Sequence, residues 1–162
     1  MVVGGIGYIH TGATAIENQR ITAEQARESG EYVYEWVDYS PEKIAALRET
    51  GRPVLVDFTA TWCATCQLNK RSSLRTSGAQ ELYEQFDVAL VVADNSRYNA
   101  QISKVLEEHQ RAGVPLYLVF PAGDTRAEPQ VLPELLTPQI VEDAIKRATE
   151  AGSSDSVAAA GS

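Results

Sequence analysis

Two cysteines, Cys63 and Cys66, stand directly after the apolar run Val54-Leu55-Val56-Asp57-Phe58-Thr59, and the 162-residue chain has no others. A strand that ends in a short turn and a Cys-x-x-Cys pair that opens a helix have the spacing of a dithiol. The first sulfur then lies at a helix N-terminus, where unpaired backbone N–H groups and the macrodipole favour thiolate over thiol. A free cysteine, with a pKa of ~8.5, is only a few per cent ionised at neutral pH. A shift to about 7 makes it half thiolate, a difference of roughly 2 kcal/mol. Cys63 is therefore the candidate nucleophile. Cys66, one helical turn further in, is placed to attack a mixed disulfide on Cys63 and release the partner, so it is the candidate resolving thiol.

Plainer readings of the pair stand beside this one. A structural disulfide closing so short a loop removes little unfolded-state entropy. A zinc site needs two further ligands, and the chain offers only His10 and His109, neither in a Cys/His spacing motif. Covalent haem attachment is excluded, because Gln67 and not histidine follows Cys66.

Asp57 is the anomaly of the strand. Alternation puts Val54, Val56 and Phe58 on one face and Leu55, Asp57 and Thr59 on the other. In a central strand covered on both faces a carboxylate meets no water, and desolvation raises its pKa until it can exchange a proton near neutrality. Asp57 is the candidate general acid/base for Cys66. The alternative is an edge strand whose Asp57 faces solvent.

The elements that must position these groups follow from local pattern. A strand is expected over Glu31 to Asp38, and a helix from the Ser40-Pro41 start to Gly51. The central strand spans Pro53 to Thr59. The helix that carries the cysteines runs from Cys63 to about Ser72, with a possible continuation over Ser77 to Glu84. Ala89 to Ala93 reads as a second buried strand, Ala100 to Gln110 as a helix with Ile102, Val105 and Leu106 at helical spacing, and Pro115 to Phe120 as a third strong strand. Gln130 to Leu132 suits an antiparallel edge strand, and a last helix starts at Thr137-Pro138 with Ile140, Val141, Ala144 and Ile145 toward the core. Near the start, a helix over Ala23 to Glu28 fits a stretch otherwise read as a tether.

A chain of this length suits one domain. Its 44% hydrophobic and 22% charged residues are those of a soluble globular protein. The net charge of -8, from 22 acids against 14 bases, argues against nucleic acid as a partner. One cysteine pair does not fix the redox compartment. Met1 to Ile9 is apolar but too short to span a bilayer and lacks a basic leading segment. It reads as an ordinary leader segment or as the tail of a membrane helix. Gly5-Ile6-Gly7-Tyr8-Ile9-His10 lacks the third glycine of a dinucleotide fingerprint, and Gly7 to Thr14 has Ala13 where a phosphate loop requires lysine.

Val56-Asp57-Phe58, Trp62-Cys63-x-x-Cys66 and the distant Gly113-Val114-Pro115 resemble the thioredoxin superfamily. More narrowly, Gly51-Arg52-Pro53-Val54, Phe58 to Cys63, Gly113 to Tyr117 and Val131 to Pro138 are similar to the C-terminal periplasmic domain of DsbD-family thiol:disulfide interchange proteins, over about Trp36 to Ala148. The element order agrees with the α/β thioredoxin fold that this implies: a central mixed β-sheet flanked by helices, with an N-terminal extension. Residues 1–30 would be that extension or a juxtamembrane tether, 31–150 the thioredoxin-like domain and 151–162 a flexible tail.

The resemblance also implies roles. Pro115, which on residues alone only punctuates a strand, would be held in cis. It would bring the Val114 backbone alongside Cys63 to receive an extended segment of a partner. Trp62 would be a lid and docking surface, the alternative being a core residue. The activity implied is dithiol-disulfide exchange, with no metal and no bound cofactor beyond the Cys63–Cys66 pair. Electrons would pass from a membrane-embedded cysteine pair to periplasmic thioredoxin-like acceptors, the domain being monomeric in isolation and tethered at the inner membrane. A free-standing thioredoxin-like reductase or oxidase of general protein clients is the alternative, and a binding module whose cysteines no longer turn over is a third reading. The chain departs from the family at Lys70, where an acid is common. A lysine near the site is expected to lower the Cys63 pKa where an acid would raise it.

Overall fold

Six consecutive residues with no access to water, Val54–Thr59, form strand β2, and a strand so buried must have neighbours on both edges. The computed structural model describes residues 35–159, with side chains to residue 153. The helix expected over 23–28 and the start of the first strand lie outside the described residues. Strand β1 is Val37–Asp38, β3 is Ala89–Asp94, β4 is Leu116–Phe120 and β5 is Gln130–Val131. They make one five-stranded sheet in the order β1-β3-β2-β4-β5. β1 and β2 run parallel to β3, whereas β4 is antiparallel to β2 and β5 to β4. The sheet is mixed, and the edge-strand alternative for Asp57 is excluded: Val92 of β3 lies opposite it on one side and Tyr117 of β4 on the other.

Helix α1, Pro41–Glu49, begins as its sequence requires, with proline in the first turn and the Ser40 hydroxyl accepting the Lys43 N–H at 3.1 Å. Helix α2, Ala64–Asn69, carries the second cysteine and passes directly into a wide π-helical turn, Lys70–Leu74. Helix α3, Ser77–Gln85, is a separate element with its own cap, the Thr76 hydroxyl accepting from Ala79 N–H. Asn99 caps helix α4, Ala100–Glu108, by accepting from Gln101 and Ile102 N–H groups.

Helix α5, Pro138–Ala159, extends past the boundary drawn at residue 150, so most of the stretch read as a tail is helical. The helix meets the turn after β4. The Ala122 N–H donates to the Ala148 carbonyl at 2.9 Å, and a Cβ on Gly152 would lie 2.7 Å from that of Ala122, closer than two such atoms approach.

The two faces of the sheet divide as alternation along β2 requires. Val54, Val56 and Phe58 pack with Val91, Leu116 and Leu118 against Ile102 and Leu106 of α4, and Ile44 and Leu47 of α1 pack at the margin. Leu55, Asp57 and Thr59 point the other way. Tyr117 shares their face and receives a hydrogen bond from Asn69 of α2, so the helix that carries Cys66 lies over this side.

Candidate active site

Cys63 is the N-cap of α2. Its backbone is extended, and its sulfur accepts the Cys66 N–H at 3.2 Å, taking up one of the donors that a helix start leaves unpaired. The two cysteines are joined as a disulfide, with their Cα atoms 5.3 Å apart. They are not equivalent: Cys63 keeps 8% of its surface exposed and Cys66 none. A partner can reach only the first sulfur. The second, on the inner face of the helix, is closed to solvent.

The turn before the pair is held from several directions. The Ala60 carbonyl accepts from the Cys63 N–H at 3.2 Å and from the Gln67 side-chain amide at 3.0 Å. The Thr61 N–H donates to Ser96 Oγ at 2.7 Å. Ser96 is itself bound to Asp94 Oδ1, through its hydroxyl and through its backbone N–H at 2.8 Å. Asn95 N–H closes the connection on the Thr59 carbonyl at 2.8 Å.

Trp62, 66% exposed beside Cys63, belongs to the surface and not to the core. Val114 packs against Ala60, Cys63 and Cys66, and the Val114–Pro115 peptide is cis. The structure thus gathers Trp62, Cys63, Cys66, Val114 and Pro115 at one end of the sheet.

Asp57 lies in β2 beneath this end, fully buried, and neither carboxylate oxygen has a hydrogen-bond partner. Its pKa is pushed up to about 6, first by desolvation, with Lys70 and then Arg75 pulling it down and Asp94 adding to the rise. Such a group takes and releases protons near neutrality. The Ser96 hydrogen bonds and Lys70 hold Asp94 below the usual carboxylate range, against a smaller desolvation effect. Lys70 thus bears on both carboxylates.

Two features escaped the sequence reading. The first is Asn69, buried on α2 and hydrogen-bonded at every polar atom. Its amide donates to Tyr117 Oη at 2.8 Å and to the Glu134 carbonyl at 2.7 Å, and its oxygen accepts the Leu136 N–H at 3.0 Å. The spacing of Cys66, Asn69 and Ser73 along one helix face was the available signal, since all three are buried. The second is the π turn, in which the Arg75 N–H bonds the Lys70 carbonyl at 2.8 Å.

Among the described residues no cluster of His, Cys, Asp and Glu could hold a metal ion, and no helix is long and apolar enough to cross a membrane.

A sequence profile of the family described as thioredoxin-like matches residues 35–122. Among characterised proteins, the chain is 32% identical over 91 residues to the thiol:disulfide interchange protein DsbD of Ralstonia nicotianae, a match covering 56% of this chain and 15% of that protein. It is 28% identical over 107 residues to DsbD 1 of Pseudomonas aeruginosa, covering 65% and 18%. The match spans less than a fifth of the length of these relatives. Among solved structures, the oxidised C-terminal domain of Neisseria meningitidis DsbD superposes with a TM-score of 0.53 at 19% identity, covering 72% of this chain and all of that one. A thioredoxin from Thermus thermophilus gives a TM-score of 0.56 at 17% identity, covering 70% and 87%. These likenesses establish the fold.

Proposed function

The chain belongs to the thioredoxin-like family, and from that premise we propose that it is a protein-disulfide reductase relaying electrons by dithiol-disulfide exchange at Cys63 and Cys66. The observation that carries this reading is the inequality of the two sulfurs. Cys63 sits at the helix tip with some surface open, and Cys66 is closed off behind it. In the reduced state the Cys63 thiolate attacks a disulfide of the acceptor. One acceptor sulfur leaves as thiolate, and a mixed disulfide remains. Asp57 takes the proton of the Cys66 thiol, and the Cys66 thiolate then attacks the Cys63 sulfur. The second acceptor sulfur leaves, and the proton held on Asp57 passes to it. Two electrons have moved to the acceptor, and the Cys63–Cys66 disulfide is restored.

Trp62 and the Val114-Pro115 segment would form the dock, the tryptophan offering an exposed aromatic face and the backbone at Val114 pairing with an extended partner segment. Similarity to DsbD supports a finer assignment. The electrons would come from a membrane-embedded cysteine pair and go to thioredoxin-like acceptors in the periplasm. Residues 31–150 would act as the exchange domain, monomeric in isolation, and residues 1–30 as its tether.

A Cys66→Ala variant tests the exchange. Incubated with an oxidised thioredoxin-like acceptor, it is expected to accumulate a mixed disulfide on Cys63, seen as a mass shift that dithiothreitol reverses. Absence of the adduct, with Cys63 shown free by alkylation, overturns the reading. Faster reduction of insulin than of such an acceptor would remove the relay role and leave a general reductase.

A further inference from the structure

The sheet face opposite Asp57 carries the apolar cluster, yet four side chains packed against that cluster are only half-buried: Tyr39 after β1, Ile44 of α1, Val105 of α4 and Phe120 of β4. They converge on a cavity of about 330 Å³ whose lining also includes Phe58 and Leu118 of the central strands. Small-molecule sites occupy roughly 300 to 1,000 Å³. The connection between β4 and β5 helps to make this space. An antiparallel hairpin needs a loop of about two to five residues, whereas nine, 121–129, join these strands. The extra length lies beside α1 and walls the cavity at its end, residues 126–129.

Arg48 of α1 fastens the loop there. Its Nη2 donates to the Asp124 carbonyl at 3.1 Å and to the Ala127 carbonyl at 2.7 Å, and its guanidinium lies 4.5 Å from the centre of the Phe120 ring. These contacts use two of the five N–H donors of the group and leave its charge unneutralised. Among the described residues Arg48 has no carboxylate partner, and its Nε is buried without an acceptor. A half-buried cation against an apolar wall favours the arrival of an anion. Of the acids at the mouth, Glu108 pairs with Lys104 at 4.0 Å, and Glu128 is matched in number by Arg126. The charge left unanswered in the cavity is that of Arg48.

We propose that this cavity is a binding site for a small carboxylate with a compact aromatic or branched apolar body. The body lies against Phe58, Leu118 and Val105, and the carboxylate accepts from the part of the Arg48 guanidinium that the loop does not use. Such a ligand meets both demands of the site: it covers the half-buried apolar side chains and brings the missing negative charge. None of the lining residues belongs to the exchange site, and the cavity lies across the sheet from Asp57.

The test is titration of the oxidised full-length protein with phenylpropionate, phenylpropanol and phenylpropylamine, followed by the NMR shifts of the Ile44, Val105 and Leu118 methyl groups. Saturable shifts are expected with the acid, with the alcohol binding about tenfold more weakly and the amine more weakly still. Arg48→Met is expected to remove the preference for acid over alcohol, and Arg48→Lys to keep it. Val105→Trp fills the cavity and is expected to abolish binding of all three. No saturable shift with the acid, an amine that binds as tightly as the acid, or an acid preference that survives Arg48→Met overturns the proposal. If Arg48→Met loosens the loop enough to lose all three probes, Arg48→Lys decides: a retained preference for the acid supports the site, and its loss overturns it. Disulfide exchange is not part of the readout, so failure of the reductase reading would leave each of these outcomes unchanged.

Discussion

The two faces of β2 are built to opposite rules. On one, Val54, Val56 and Phe58 pack in an apolar cluster with residues of β3, β4, α1 and α4. On the other, the Asp57 carboxyl and the Thr59 hydroxyl lie buried without hydrogen bonds, on the face shared by Tyr117. A buried carboxylate without partners lowers stability and is retained where its proton is of use. The first face therefore holds the fold, and the second carries the cost of a buried carboxyl without a hydrogen-bond partner.

The largest expected effect lies on the first face. Phe58→Ala should lower the unfolding free energy by about 3 to 5 kcal/mol, as emptying a packed aromatic site does. Urea unfolding at pH 7 measures it, and a loss below about 1 kcal/mol would show that this face is not the main support.

Asp57→Asn should act in the opposite direction. The folded protein binds the Asp57 proton more tightly than the unfolded chain, with a pKa of about 6 against 3.8. Stability from this group is therefore present below pH 3.8 and is lost as pH rises through about 6, by about 3 kcal/mol in all. The asparagine variant lacks that loss. Its unfolding free energy should exceed that of the parent by a similar amount at pH 7, and the gap should close toward pH 4. A gap that is the same at both pH values would break the comparison.

The smallest change sharpens it. Asn69→Ala strands the Leu136 N–H and leaves Tyr117 Oη without its donor, at a cost of about 1 to 3 kcal/mol. Hydrogen exchange at Leu136 should accelerate more than at positions in α4, which lies on the opposite face.

Local pattern carried much of this architecture. The apolar run of β2, the Ser40-Pro41 cap and the Cys-x-x-Cys pair each act within a few residues, and each lies where its pattern places it. What remained hidden depends on distance. Asn69 draws its partners from Tyr117, Glu134 and Leu136, far along the chain, and its spacing from Cys66 and Ser73 on one helix face is the one local sign that it is buried. The π turn goes with a fully buried Leu74 between half-buried Lys70 and Arg75, a placement that packing and not propensity sets. The length of α5 was missed because Ala151-Gly152-Ser153 has the composition of a tail, whereas contact with the turn at Ala122 decides its course.

Asn69 is also a mechanical feature. Three hydrogen bonds rivet the segment behind Cys66 to β4 and to the strand-free stretch before α5, an anchorage that does not pass through the sulfur–sulfur bond. In the proposed relay, a carrier tied down in this way would present one contour to donor and recipient in turn, and each would have to leave before the other could dock.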